Sequence, residues 1–158
     1  MYDKYLITGA TGFLGRAVVE ELVHHDAQVR ALVLHNDPYI NLLPKEVHTI
    51  VGDVCDKNSL ADFFADADSR TCVIHCAGIV SVASRPGPKL YQVNVGGTWR
   101  ILRQCLAHDV GKLIHVSSVH AIPEKPEGCV ITESCDFSPG LVDGDYAKSK
   151  AAATELVF

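Results

Sequence analysis

Residues 4–22 read KYLITGATGFLGRAVVEEL. Tyr5, Leu6 and Ile7 make a short apolar run of strand type, and Leu14, Val18, Val19, Leu22 and Val23 recur at helical spacing. Between the two stand Gly9, Gly12 and Gly15, three residues apart. Glycine weakens regular structure, so three of them at a strand-to-helix junction need a physical reason. Gly9 suits a tight turn, Gly12 lets backbone approach a bound group, and Gly15 allows a helix to pack closely on a sheet. The N–H groups that open a helix favour an anion, so a phosphate or diphosphate is what such a turn would accept. A turn that merely joins strand to helix would use the same residues, and the rest of the chain has to decide between the two readings.

Working outward, β-rich runs fall at about 3–8, 28–34, 47–51, 72–76 and 112–117, separated by longer segments with helical spacing. The runs are continuously apolar, as in YLITG, CVIHCAG and LIHVSS, which indicates strands buried on both faces. The pattern predicts an α/β fold, a doubly wound parallel sheet between two helical layers. Leu90, Val93, Ile101, Leu102 and Leu106 mark a long helix that Gly96 and Gly97 interrupt, each at a cost of about 1 kcal/mol relative to alanine. One irregular stretch, 119–144, is rich in proline, glycine and acidic residues and follows the fifth strand. A loop of that length in one domain is usually functional or mobile.

The 158 residues suffice for one domain, and 47% hydrophobic residues supply its core. A net charge of -5 repels phosphate backbones, so no nucleic-acid partner is expected. No apolar run approaches the roughly 18 residues needed to cross a bilayer, and the N-terminal residues lack signal-peptide order. No membrane partner is expected, and the cytoplasm is the expected location. The six cysteines, Cys55, Cys72, Cys76, Cys105, Cys129 and Cys135, form no C-x-x-C pair and read as buried free thiols. His24 and His25 end a helix and His115 sits in a strand, with no ligand spacing among the histidines, so no metal is assigned.

Later motifs settle the reading of the glycines. GDVCD at 52–56, HCAGIVS at 75–81, YQVNVGGTWRIL at 91–102, HVSSVHA at 115–121 and YAKSK at 146–150 follow TGATGFLG in order along the chain. Together they resemble the extended short-chain dehydrogenase/reductases, the NAD-dependent epimerase/dehydratase family, with the dihydroflavonol-reductase-like subgroup closest. That resemblance implies a Rossmann-type domain binding NAD or NADP. It places the cofactor against Gly9, Thr11, Gly12, Phe13, Leu14 and Gly15, with Asp53 and Val54 toward the adenine, and with Ala77, Gly78 and Ser117 along the strand ends. Asp53 also fits a plain loop-capping aspartate, and Ala77 and Gly78 a strand-ending turn. Asn94 matches the family's helix asparagine, which braces backbone near the reacting centre.

Tyr146 and Lys150 are four residues apart and share one helical face. Free tyrosine is a poor base at neutral pH, and a nearby ammonium favours its phenolate. By the resemblance, Ser118 holds the substrate oxygen, Tyr146 exchanges its proton, and Lys150 also bonds the nicotinamide ribose; Ser117 is the lesser candidate for the catalytic serine. The reaction implied is carbonyl reduction or alcohol oxidation, or epimerisation or dehydration through a transient hydride transfer, on a small organic or nucleotide-sugar substrate. A choice between NAD and NADP depends on the second strand's end. There QVRALVLHND places Val33 and Leu34 where relatives carry aspartate or arginine; His35 and Asn36 are within reach of the ribose, and Asp37 would oppose a phosphate if it pointed inward.

The sequence stops at ATELVF, inside the Tyr/Lys helix, where family members continue into a substrate-binding region. The expectation is therefore a single domain, 1–158, cut within that helix. Its fifth strand would lie bare at an edge, and the chain alone would bind cofactor weakly, self-associate and turn over little. A homodimer is possible for such a fold. The alternative from another class is a non-catalytic NAD(P)-binding regulatory or scaffold module, or an inactive fragment of an enzyme.

Overall fold

β1 (Lys4–Thr8), β2 (Gln28–Val33), β3 (His48–Val51), β4 (Thr71–His75) and β5 (Lys112–His115) form one parallel sheet in the order β3-β2-β1-β4-β5. The computed structural model that shows this describes residues 2–81, 87–134 and 136–158; Cys135 lies outside the described residues. All five strands fall where the apolar runs predict them, to within two residues at either end. The chain order reverses direction at β1, between β2 and β4, which is where ligands bind in sheets of this type.

Two compact units make up the chain, the first running to Ala77 with Arg100–Val116, the second comprising Gly78–Trp99 and Ser117–Phe158. The whole sheet belongs to the first. On one sheet face, Ile7, Val29, Ala31, Val33, Cys72 and Ile74 pack with Val19 of α1 (Phe13–His24), and with Leu43 and Val47 of the β2–β3 connection. The opposite face carries Arg30, whose guanidinium donates to the carbonyls of Phe63 and Ala65 at the end of α2 (Lys57–Phe63), at 3.1 and 2.7 Å. Leu60, Phe63, Phe64 and Ile101 are all at most 1% exposed on that side, so helical layers cover both faces of the sheet. Asp56 caps α2, accepting from the Asn58 and Ser59 amides, and those bonds hold its carboxyl below the usual range.

In the second unit α3 (Lys89–Tyr91) passes into a π-helical turn, Gln92–Gly97, and α4 (Thr98–Ala107) begins there. The paired glycines widen the helix by a residue rather than breaking it, and the Thr98 hydroxyl accommodates the change by donating to the Asn94 carbonyl at 2.7 Å. The stretch 119–144 carries only two 3-10 turns, Val119–Ala121 and Pro139–Leu141, among its described residues. Its ends are nonetheless packed: Ala121 and Val142 form a buried cluster with Ala147 and Ala151 of α5 (Asp145–Glu155).

Candidate functional site

The first unit's candidate groups are backbone. Gly9 has φ +67°, and a Cβ on it would lie 2.7 Å from the Ala77 nitrogen. On Gly15 a Cβ would drive into the Gly9 carbonyl, so the start of α1 can lie this close to the turn only without one. The Gly12 N–H donates to the Gly9 carbonyl at 3.1 Å, and Gly12 is the extended residue from which α1 starts. No side chain caps α1 and no acidic residue stands in its first turn. A helix of 12 residues that opens without cap or acid keeps its N-terminal N–H groups and partial positive charge for something else. Phe13 and Leu14, at 95% and 48% exposure, leave that end uncovered.

Thr8 and His75, the first residues of the TGATGFLG and HCAGIVS motifs, lock the turn from below. They are register partners on β1 and β4, with Thr8 Oγ1 2.6 Å from His75 Nδ1, both fully buried. The Ala77 N–H donates to the same Thr8 oxygen at 3.2 Å, which fixes Ala77 beside the glycine turn. Beyond opening those motifs, they are marked in the sequence as polar residues at matching strand ends. Asp53 acts locally, its carboxylate accepting from the Cys55 amide at 2.8 Å to close a turn, while Val54 is buried.

Outside the carboxyl end of β2 a cavity of about 550 Å³ opens between Thr11, Gly12, Phe13 and Arg16 on one wall and the 34–42 segment on the other. His35 lines it, and so does Asp37, whose carboxylate accepts from the Thr11 hydroxyl at 2.6 Å.

The second unit's candidate groups are side chains. Asn94, 2% exposed, uses its whole amide: the oxygen accepts from the Ile79 N–H at 2.7 Å, and the nitrogen donates to the Ile79 carbonyl and to Ser149 Oγ, each at 3.0 Å. Ser149 in turn donates to the Tyr146 carbonyl at 2.7 Å. The segment at Gly78–Ile79 and the first turn of α5 are thereby held to one residue of the π-helical turn. Tyr91 pins the same end of α5; loss of solvent and the Asp145 carboxylate to which it bonds push its phenol up from the ordinary value.

Tyr146 and Lys150 share a face of α5, the tyrosine half-buried and the lysine 7% exposed. Tyr146 meets the edge of the His120 ring, centroids 6.0 Å apart, and the His120 amide donates to Ser118 Oγ at 3.2 Å. Ser118 is thus linked to the tyrosine's surroundings through His120, a residue of the HVSSVHA motif to which the resemblance gives no role. Ser117 faces elsewhere: its hydroxyl lies 2.5 Å from Thr154 Oγ1, which donates to the Lys150 carbonyl at 2.8 Å, so it ties its own segment to α5. Among the described residues no three His, Cys, Asp or Glu side chains converge in a metal-binding cluster, and no helix is long and apolar enough to cross a membrane.

Comparison with known proteins adds relatives to this geometry. The family model described as NAD dependent epimerase/dehydratase matches residues 5–158. The human protein named 3 beta-hydroxysteroid dehydrogenase type 7 is 34% identical over 98% of this chain and 43% of its own length. A short-chain dehydrogenase/reductase superfamily protein from Agrobacterium tumefaciens, solved with bound NAD, superposes with a TM-score of 0.79 at 28% identity, over 98% of this chain and 44% of that one. The Thermus thermophilus UDP-glucose 4-epimerase complex with NAD gives 0.80 at 26% identity, over 98% and 49%. The chain spans less than half the length of these relatives.

Proposed function

The chain belongs to the NAD dependent epimerase/dehydratase family, and from that premise we propose that it is the nicotinamide-binding part of an oxidoreductase or epimerase acting on a small-molecule alcohol or its ketone. One observation carries the reading: α1 opens over Gly9, Gly12 and Gly15 with neither cap nor acid, a cradle that side chains would fill. The amides of the first turn of α1 would hold the diphosphate, and Gly12 gives it room. A bound nicotinamide would supply hydride transfer to or from the substrate carbon. Tyr146 is the group that gives the proton to the substrate oxygen or takes it away, Lys150 stands one helical turn from it, and Ser118 orients the oxygen. Asn94, Ser149 and Ser117 position these groups by fixing the backbone on either side of them.

The two NAD-bound structures support the cofactor class, and the hydroxysteroid dehydrogenase and UDP-glucose epimerase names support an alcohol or ketone substrate. A cytoplasmic location and a homodimer belong to the same reading. Titration of the chain with NADH, followed by nicotinamide fluorescence, tests it. Saturable binding is expected, and Gly12→Val should weaken it by at least about tenfold through the side chain it places in the cradle. A folded Gly12→Val variant that binds as the parent does would overturn the proposal.

A further inference from the structure

At the amino end of the sheet, away from the glycine turn, stands a group of charged side chains that neither the cradle nor α5 uses. Lys4 and Gln28 are register partners on β1 and β2, as are Arg30 and His48 on β2 and β3. Side chains alternate along a strand, so all four stand on the face where Arg30 meets the end of α2. Together with Val29 they line a cavity of about 80 Å³. At roughly 30 Å³ per water, that is room for two or three waters or one small oxyanion, and too little for a nucleotide. Among the described residues no carboxylate lines it.

The Arg30 and Lys4 side chains are only 12% and 19% exposed, so their charges call for partners. One carboxylate serves both. Asp66, just past α2, lies 2.7 Å from the Lys4 ammonium through Oδ2 and 3.0 Å from Arg30 Nη2 through Oδ1. Two cations on one carboxylate leave a positive charge over, and Asp66 is 64% exposed, so water screens it while the cations stay largely dry. A donor is left over as well. Arg30 Nη1 donates to the Phe63 and Ala65 carbonyls and Nη2 meets Asp66, while the buried Nε–H reaches no acceptor among the described residues. A water would satisfy that donor alone, whereas an oxyanion satisfies the donor and the charge together.

We propose that this cavity binds a single phosphate-type oxyanion, with Arg30 Nε, the Lys4 ammonium, the His48 ring and the Gln28 amide as its donors. The site is independent of the dinucleotide reading, and its occupant would tie β1, β2 and β3 together at the end away from the cofactor. Gln28 and His48 are exposed, so the cavity opens to solvent on their side and would take inorganic phosphate or the phosphate end of a phosphomonoester.

Titration of 15N-labelled chain with inorganic phosphate, at fixed ionic strength and neutral pH, tests this through the arginine Nε–H signals. The Arg30 signal should shift saturably with a dissociation constant of about 1 mM or tighter, and Gly12→Val should leave that binding unchanged. Lys4→Met should weaken it about fivefold or more, and His48→Gln, on an exposed strand position, serves as the second substitution with a loss of about twofold or more. Asp66→Asn carries the opposite sign. It removes the competing negative charge and should tighten phosphate about threefold or more, whereas a purely structural cluster would lose binding with every member removed. Circular dichroism confirms the fold of each variant. Glycerol 3-phosphate titrated in parallel separates the two sources: tighter binding than inorganic phosphate supports the site as one for phosphomonoesters, and weaker binding supports it as one for the free ion. An Arg30 Nε–H signal that neither anion moves, phosphate shifts confined to the amides of Gly12 to Gly15, or an Asp66→Asn variant that weakens phosphate as Lys4→Met does, would overturn the proposal.

Discussion

Around Gly9, Gly12 and Gly15 the first unit presents backbone with side chains removed, whereas around Asn94, Ser117 and Ser149 the second unit is tied together by amide and hydroxyl groups with named partners. The contrast sets how each is broken. A cradle defined by empty space fails when atoms are added; a brace defined by hydrogen bonds fails when atoms are taken away. Substitutions chosen on that principle should separate the two.

The largest effect is expected at Gly15→Val, because any Cβ there meets the Gly9 carbonyl and neither backbone segment can move without disturbing β1. A loss of about 4 kcal/mol or more, much of the stability of a domain this size, should appear as a collapse of the urea midpoint. A Gly15→Val variant with an unchanged midpoint would mean that the turn is not packed as described. Next comes Asn94→Ala. It leaves the half-buried Ile79 N–H and carbonyl without their partner and releases Ser149, so about 2 kcal/mol should be lost, with Asn94→Asp intermediate because it keeps the acceptor. If the two variants lose the same amount, the acceptor side of the amide contributes nothing.

The smallest effects are in pH dependence, one in each unit. Lys4, by its hydrogen bond, and then Arg30 hold the Asp66 carboxyl below its usual range. A folded value below the unfolded one gives stability that is present above about pH 4 and lost as pH falls through the folded value, so Asp66→Asn should flatten the acid limb. Tyr91 is shifted the other way, by loss of solvent and by Asp145. Its contribution is present below about pH 10 and lost as pH rises through the folded value, and Tyr91→Phe should flatten the alkaline limb. Urea midpoints measured across pH give both slopes, and a Tyr91→Phe profile parallel to the parent's above about pH 10 would contradict the upward shift of the phenol. Thiol chemistry marks the core of the first unit as well: burial pushes Cys105 up to about 12 and raises Cys72, with Lys112 offsetting part of the latter. Cys129 is exposed in its loop rather than buried as the sequence suggests, so brief alkylation at neutral pH should label it and spare both, and labelling of Cys105 at the rate of Cys129 would show the core open.

The same contrast explains what is legible in the sequence. β1 and β4 can be read because each is a largely apolar, largely buried run, whereas β3 and β5, at the sheet edges, leave Val51 and Ile114 exposed instead of burying both faces, so only their short β-rich runs mark them. The glycine turn can be read because its residues have conformational reasons that are local to the chain. Less is legible where position depends on distant partners. Gly96 and Gly97 signal an interruption, but only the Thr98 hydroxyl and the Asn94 contacts show that the helix widens instead of stopping. Asp37 can be noticed but not aimed, since its direction follows from a left-handed Asn36 and from Thr11 far upstream. The place of Ser117 beside Ser118 groups it with the cofactor residues, and its bond to Thr154 shows what the side chain holds in this structure.

The central claim is that a dinucleotide sits on the uncapped start of α1, and amide NMR reads that surface directly. With 15N-labelled chain titrated by NAD+, saturable shifts should be largest at the amides of Gly12, Phe13, Leu14 and Gly15, with Asp37 moving alongside them. Saturable NAD+ binding that leaves those four amides unmoved would contradict it.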